Sequence, residues 1–227
     1  MFLILLIMII HWYGHSCFKI QSSLSDIILA IDPYDATLGW RSPRIAADIA
    51  IVSTQRGEYN NMESIKPTHD AQPFSIKYPG EYEVGGIFVY AIPIEQELSD
   101  DKKEKKELTL ISAIRIDECS VAHLGALNRD LTEKELEELG NVDVLIIPVG
   151  GNGVLDAKKA AALVNEIEPR IVIPMQYKIA NVKCEMDGVE KFLKECGAKD
   201  IEAIDKYKLA KKDLPADKTE IILLNLV

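Results

Sequence analysis

Side chains that could bind a ligand or take part in catalysis are concentrated in residues 52–61, a polar stretch that directly follows the apolar run Ile49–Val52. The run predicts a buried strand, and loops at strand ends are where binding and catalytic residues are commonly found. We call residues 52–61 the site loop. Arg56 carries paired N–H donors that suit a carboxylate or a phosphate, whereas Glu58 alone would be a weak metal ligand. The candidate side chains of the site loop are Thr54, Arg56, Glu58 and Tyr59.

Two further candidates also end apolar runs. Asp32 follows Ile27–Ile31, where an aspartate is either an active-site residue or a turn former that bonds nearby backbone N–H groups. His123 follows Cys119–Ala122 and is either a site residue or a buried histidine whose ring nitrogens are satisfied within the protein. The sequence leaves both alternatives open.

The elements that would position these residues form a β-rich first half and a second half in which strands alternate with helices. A capping box of Thr132 and Glu135 begins one helix, and Asp156 caps another. The polar run 95–107 predicts a solvated loop. Because no linker rich in Gly, Ser or Pro interrupts the chain, we expect one domain over residues 1–227. The predicted strands include 8–12, 27–31, 49–52, 108–116, 119–122, 142–149, 171–175 and 220–224.

Composition limits the classes of function. The chain has 227 residues, of which 48% are hydrophobic and 27% charged, as in ordinary globular proteins. Its net charge of −10 opposes binding to a phosphate backbone, so we expect no nucleic-acid partner. Its four cysteines form no C-x-x-C pair, which predicts free thiols in a reducing cytoplasm and hence a cytoplasmic protein.

The N-terminal residues Met1–Ile10 are all apolar. A membrane-spanning helix needs about 20 such residues, and a secretory signal would have a basic start and a cleavage site of small residues. Neither pattern is present, so we expect no membrane association, with a membrane anchor as the alternative. Met8–Trp12 predicts a core strand. Residues 1–7 are then either an extension of that strand or the product of a wrongly chosen start codon.

A set of short motifs occurs in one order along the chain: Trp12–Phe18, Ile31–Pro33, Pro79–Gly86, His123–Gly125, Ile147–Gly151 and Ile173–Met175. The ordered set resembles the metallo-β-lactamase superfamily, and within it a branch of Zn-dependent hydrolases similar to the ascorbate-phosphate lactonases. The resemblance covers residue 8 to the C-terminus. It implies an α+β fold, a four-layer αβ/βα sandwich with a metal site at the ends of the two sheets.

The resemblance also implies a set of zinc ligands, most of which this chain lacks. The family's site loop carries a His-x-His-x-Asp-His pattern, and the corresponding positions here are Thr54, Arg56, Glu58 and Tyr59. Ala126 stands where a bridging carboxylate is expected, and Gln176 stands where a histidine is expected. His123 alone matches a family histidine ligand. A catalytic zinc site needs about three protein ligands. The pattern therefore predicts a retained fold with a lost metal centre and no cofactor.

Three functional hypotheses follow from this pattern. The main hypothesis is a non-catalytic relative that binds a small-molecule ligand or a partner at the former metal site. The alternative is a metal-dependent hydrolase of the lactonase or phosphodiesterase type with a reduced zinc centre, built from Asp32, Glu58 and His123 with Glu81 or Tyr59. The third is metal-free binding of an anion such as phosphate. The sequence indicates no oligomeric state.

The third hypothesis depends on three side chains from separate parts of the chain. Arg56, Tyr59 and His123 would have to converge on one anionic group. The resemblance places all three positions near the former metal site.

Overall fold

The computed structural model describes residues 6–98, 105–181 and 183–227. Within these ranges the chain forms fifteen strands and three α-helices. The strands are β1 (Met8–Trp12), β2 (Phe18–Ser22), β3 (Ile28–Ile31), β4 (Ile45–Ala47), β5 (Ile49–Ile51), β6 (Ile65–Pro67), β7 (Phe74–Ile76), β8 (Gly80–Val84), β9 (Ile87–Leu98), β10 (Lys105–Ile116), β11 (Cys119–His123), β12 (Val144–Pro148), β13 (Ile171–Met175), β14 (Tyr207–Leu209) and β15 (Glu220–Ile221). The helices are α1 (Glu133–Leu139), α2 (Ala157–Ile167) and α3 (Val189–Glu195).

Two large sheets form the body of the fold. The six-stranded sheet has the order β14-β1-β2-β3-β5-β7, and the seven-stranded sheet has the order β15-β13-β12-β11-β10-β9-β8. A two-stranded sheet pairs β4 with β6. The β8–β11 part of the large sheet is antiparallel, whereas β11, β12, β13 and β15 are parallel.

The main hydrophobic core lies between the two large sheets. Strand β1 alternates buried and half-buried residues, as expected of a strand with one face on the core. All five residues of both β12 and β13 are buried, because parallel strands are covered on both faces. The apolar stripe of α2, including Ala160 and Val164, joins this core. The predicted caps are present: the Asp156 side chain accepts from Lys159 N, and Thr132 and Glu135 form the capping box.

A second, smaller core contains residues of the six-stranded sheet together with the β4–β6 pair. Leu29 and Ile31 of β3 belong to the main core, whereas Ala30 between them belongs to this second cluster. Tyr34 and Leu38 are also part of the second cluster. The structure thus has the predicted α+β sandwich, with its helices in the second half of the chain.

The segment 95–107 differs from its prediction. The sequence predicts a solvated loop here, but residues 95–98 continue β9 and residues 105–107 begin β10. The two strands pair in register, with Gln96 opposite Glu107. Residues 99–104 lie outside the described ranges. In this part of β9 the charged residues Glu95 and Glu97 are exposed, whereas Gln96 lies on the face that packs against the protein.

The N-terminal strand is present as predicted. Backbone pairing continues one residue before β1, because Ser23 N donates to Ile7 O and Ile7 N donates to the Ser23 side chain. Residues 1–5 of the segment 1–7 lie outside the described ranges, so the choice between a strand extension and a wrong start codon stays open there. No helix in the described ranges is long and apolar enough to cross a membrane.

Candidate functional site

The site loop leaves the sandwich at the end of β5, which lies between β3 and β7. Both large sheets contribute to its position. Val52 N donates to Ile76 O of β7, and Leu110 N of β10 donates to Ser53 O at 2.8 Å. At the other end of the loop, Asn61 N donates to Pro33 O at 2.7 Å. These backbone bonds fix the loop at both ends.

Asp32 is completely buried and binds the start of the site loop. One carboxylate oxygen accepts from Ser53 N and the other from Ser53 Oγ, each at 2.7 Å. Its backbone is left-handed, with φ of 46°, which aspartate tolerates better than most residues. Burial raises the pKa of Asp32 to about 7, although the bonds from Ser53 and Ser16 and the nearby Arg56 charge oppose the rise. Both oxygens are therefore engaged in shaping the loop.

Arg56 makes the principal charged contacts of the site loop. Its Nε lies 3.1 Å from Glu107 Oε1 on β10, and its guanidinium carbon lies 4.8 Å from the centre of the Tyr59 ring. The Thr54 hydroxyl oxygen accepts from Arg56 N at 3.1 Å and lies 3.4 Å from Arg56 Nε. Thr54 and Tyr59 thus both contact the Arg56 side chain.

Tyr59 and Gln176 are buried and bonded to each other. Gln176 Nε2 donates to the Tyr59 hydroxyl at 2.7 Å, while Gln176 Oε1 is buried without a hydrogen-bond partner. Burial raises the pKa of Tyr59, and the Arg56 charge opposes the rise, so the phenol is neutral near pH 7. The His15 ring meets Tyr59 edge-on with centres 4.9 Å apart. Burial, with the Arg56 charge, lowers the pKa of His15 to about 3.

His123 has both ring nitrogens bonded to the main chain. Gly125 N donates to Nδ1 at 3.2 Å, so Nδ1 carries the lone pair and Nε2 carries the proton. Nε2 then donates to Ser16 O at 3.0 Å. Burial lowers the pKa of His123 to about 4, which keeps the ring neutral. The structure therefore brings Arg56 and Tyr59 together but engages His123 elsewhere.

The remaining predicted positions have separate surroundings. Ala126 is buried, and its carbonyl oxygen accepts from Gln96 Nε2 at 2.8 Å. Glu58 is half-buried. Burial is the main cause of the raised pKa of Tyr59, and the charge of Glu58 adds to the rise. Glu81 lies on β8, the edge strand of the seven-stranded sheet.

Two residues of the site were missed in the sequence because they belong to the run predicted as a loop. Glu107 binds Arg56, and Gln96 binds the Ala126 segment through both its amide atoms, since Asn128 N donates to its Oε1 at 3.1 Å. A signal for Gln96 was present. The alternation of Ile92, Ile94 and Gln96 continues the strand pattern past the first charges.

The side chains present do not fit the zinc centre that the resemblance implies. The only lone pair of His123 accepts from Gly125, and both oxygens of Asp32 accept from Ser53. Arg56 adds a fixed positive charge to the loop that would face the metal. Across residues 6–98, 105–181 and 183–227, no three His, Cys, Asp or Glu side chains are grouped so that they could share an ion.

Comparisons with known proteins agree with the fold. The model of the β-lactamase superfamily domain matches residues 9–176. A UPF0173 protein of Pyrococcus abyssi is 27% identical over 184 residues, covering 73% of this chain and 81% of the relative. A UPF0173 metal-dependent hydrolase of Methanopyrus kandleri is 26% identical over 193 residues, covering 74% and 83%.

A solved structure gives the same result. It is a candidate Zn-dependent hydrolase of the metallo-β-lactamase superfamily from Thermotoga maritima, with a TM-score of 0.74 and 25% identity over 96% of this chain and 100% of that one. The family model alone spans more than half of the chain. The protein therefore belongs to the metallo-β-lactamase superfamily and has its fold.

Proposed function

We propose that the protein is a non-catalytic member of the superfamily that binds a small-molecule ligand at the site of the family's metal centre. The observation that carries this proposal is the ion pair of Arg56 with Glu107 at 3.1 Å, which joins the site loop to β10. A guanidinium cannot lose its charge in a protein. Its charge would repel a dication placed beside it, to the extent that Glu107 does not offset that charge.

The bonds around the ion pair support the same proposal. Asp32 bonds Ser53, His123 bonds Ser16 and Gly125, and Gln96 bonds Ala126 and Asn128. To bind a metal ion, His123 would have to give up the bond from Gly125 N, leaving a buried donor unpaired at a cost of about 1–3 kcal/mol. The site is therefore better suited to binding through hydrogen bonds and charge.

A metal-dependent hydrolase is the second candidate function. The comparisons favour it, because relatives such as the Methanopyrus kandleri protein are named metal-dependent hydrolases. Under this candidate His123 would turn Nδ1 or Nε2 towards the site loop, with Glu58 and Asp32 as the carboxylates. Zinc binding separates the two candidates.

We expect the purified protein to retain substoichiometric zinc after incubation with excess zinc followed by gel filtration. The reason is that the lone pair of His123 and both oxygens of Asp32 are already engaged. Elemental analysis measures the zinc content, and panels of esters, lactones and phosphodiesters measure metal-dependent turnover. We expect no turnover that depends on added metal.

The control for this measurement is His69→Ala, which removes an exposed histidine outside the site. Zinc that this variant loses is bound at the surface. One zinc ion per chain that survives in His69→Ala and disappears in His123→Gln would refute the proposal of a lost metal centre. Such zinc together with metal-dependent turnover in the substrate panels would establish the hydrolase candidate.

A further inference from the structure

Unpartnered polar atoms are concentrated around the site loop. In the described part of the chain, five buried side-chain atoms have no hydrogen-bond partner, and four of them belong to Arg56, Asn60, Glu107 and Gln176. The fifth belongs to His11 on β1. Buried polar atoms in native proteins are nearly always paired, so such a cluster offers unused donors and acceptors to a further group, such as water or a ligand.

The ion pair itself is half formed. Arg56 Nε faces Glu107 Oε1, but Arg56 Nη2 and Glu107 Oε2 are both buried without a partner. In a complete arginine–carboxylate pair, Nε and Nη2 bond the two oxygens in parallel. Glu107 therefore uses only one of the two donors on this edge of the guanidinium.

The mismatch follows from the different elements that hold the two ions. Arg56 is positioned by the Tyr59 ring and by Thr54 within the site loop. Glu107 is positioned by β10, where it lies opposite Gln96. Neither partner is free to optimise the pair alone, whereas a diffusible anion is free to align with both donors.

We infer that Glu107 is a built-in counter-ion of Arg56, and that the ligand of the proposed site carries a carboxylate or phosphate group that displaces Glu107 and bonds Arg56 Nε and Nη2 together. This inference rests on the proposed binding function and gives the chemical class of the ligand. Two oxygens of either group match the spacing of the two donors. Gln176 Oε1 is a further unpartnered acceptor, on the residue that bonds the hydroxyl of Tyr59.

The binding experiment uses inorganic phosphate and acetate as separate probes, titrated by calorimetry at constant ionic strength. Glu107→Gln keeps the size of the side chain and removes the competing charge. We expect it to tighten binding of both probes roughly tenfold, the change that corresponds to about 1.4 kcal/mol. Arg56→Ala is expected to abolish binding in the wild-type background and in the Glu107→Gln background.

The matched control is Glu97→Gln. Glu97 is exposed on β9 of the same hairpin, so this variant changes the net charge equally without touching Arg56. We expect its affinity for both probes to equal that of the wild type. Equal tightening in Glu97→Gln and Glu107→Gln would show a general charge effect and overturn the inference, as would probe binding by the Arg56→Ala, Glu107→Gln double variant.

A second measurement needs no substitution. In the wild-type protein, phosphate is expected to shift the NMR signals of the Arg56 Nε–H group and the Glu107 side-chain carboxyl carbon along one titration curve. A shift of neither signal at saturating phosphate overturns the inference. That outcome leaves the proposed function standing, since the zinc measurement tests the proposed function independently.

Discussion

Replacing Gly150 with alanine is expected to lower the free energy of unfolding by more than about 3 kcal/mol. A Cβ atom at this position would clash with the carbonyl oxygen of Gln176. Gly150 follows β12 and Gln176 follows β13, and these adjacent strands are fully buried. Val149 N also donates to Met175 O, so the two backbones cannot separate without losing a bond. Chemical denaturation followed by circular dichroism measures the change.

The matched control for this substitution is Gly153→Ala in the same loop. No atom lies within 4 Å of its Cβ position, but its φ of +98° disfavours an L side chain. We expect a loss of only about 1–2 kcal/mol there, from the backbone conformation alone. Equal losses in the two variants would mean that close approach to Gln176 is not the cause.

Gly150 also connects the fold to the site. Its carbonyl oxygen accepts from Asp187 N at 2.8 Å, and the residue that a Cβ here would strike, Gln176, is the one whose side chain donates to Tyr59. Gly150→Ala is therefore expected to change the environment of Tyr59 at denaturant concentrations where the protein is still folded. Near-ultraviolet circular dichroism reports this environment.

Much of the fold could be predicted because its signals are local. The apolar runs of β12 and β13, the capping box of Thr132 and the cap Asp156 each occupy a few consecutive residues. The order of the motifs then indicated the family. Local patterns of this kind can be recognised without knowing which distant residues meet in space, which is why the fold was predicted more fully than the site.

The contacts of the candidate site depend on groups that are distant in sequence. The tautomer of His123 is set by Ser16 O, 107 residues away, together with Gly125 N. The partner of Arg56 is set by the register of β9 and β10, which carries Glu107 to the site loop. A charged run gives no local sign of such a register, so the sequence predicts a solvated loop at Glu107.

The change in the free energy of unfolding between about pH 7.5 and pH 4.5 is expected to shift in opposite directions in two variants of the buried site, His123→Gln and Asp32→Asn. His123 has its pKa lowered from 6.5 to about 4 by burial. Its contribution to stability is present above pH 6.5 and is lost as the pH falls towards 4, because the unfolded chain takes up the proton first. The loss over this interval is about 2.5 kcal/mol. His123→Gln, which retains one donor and one acceptor, is expected to remove this loss of stability on acidification.

Asp32 has the opposite effect on the same interval. Burial raises its pKa from 3.8 to about 7, so its contribution to stability is full below pH 3.8 and is lost as the pH rises through 7. Asp32 thus adds about 3 kcal/mol of stability on going from pH 7.5 to pH 4.5, which offsets part of the acid loss caused by the histidines. Asp32→Asn removes this compensation, and we expect the variant to be more acid-sensitive than the wild type.

The measurement is the free energy of unfolding of each variant at the two pH values, with His69→Gln as the control. His69 is exposed, so its substitution is expected to leave the pH dependence unchanged. His15, with a pKa lowered to about 3 by burial, retains its own acid-labile contribution in every variant. Because the His123 and Asp32 effects differ in sign, a general loss of stability cannot imitate both. Parallel pH profiles for His123→Gln and Asp32→Asn would contradict the assignment of a neutral His123 and a protonated Asp32 below pH 7.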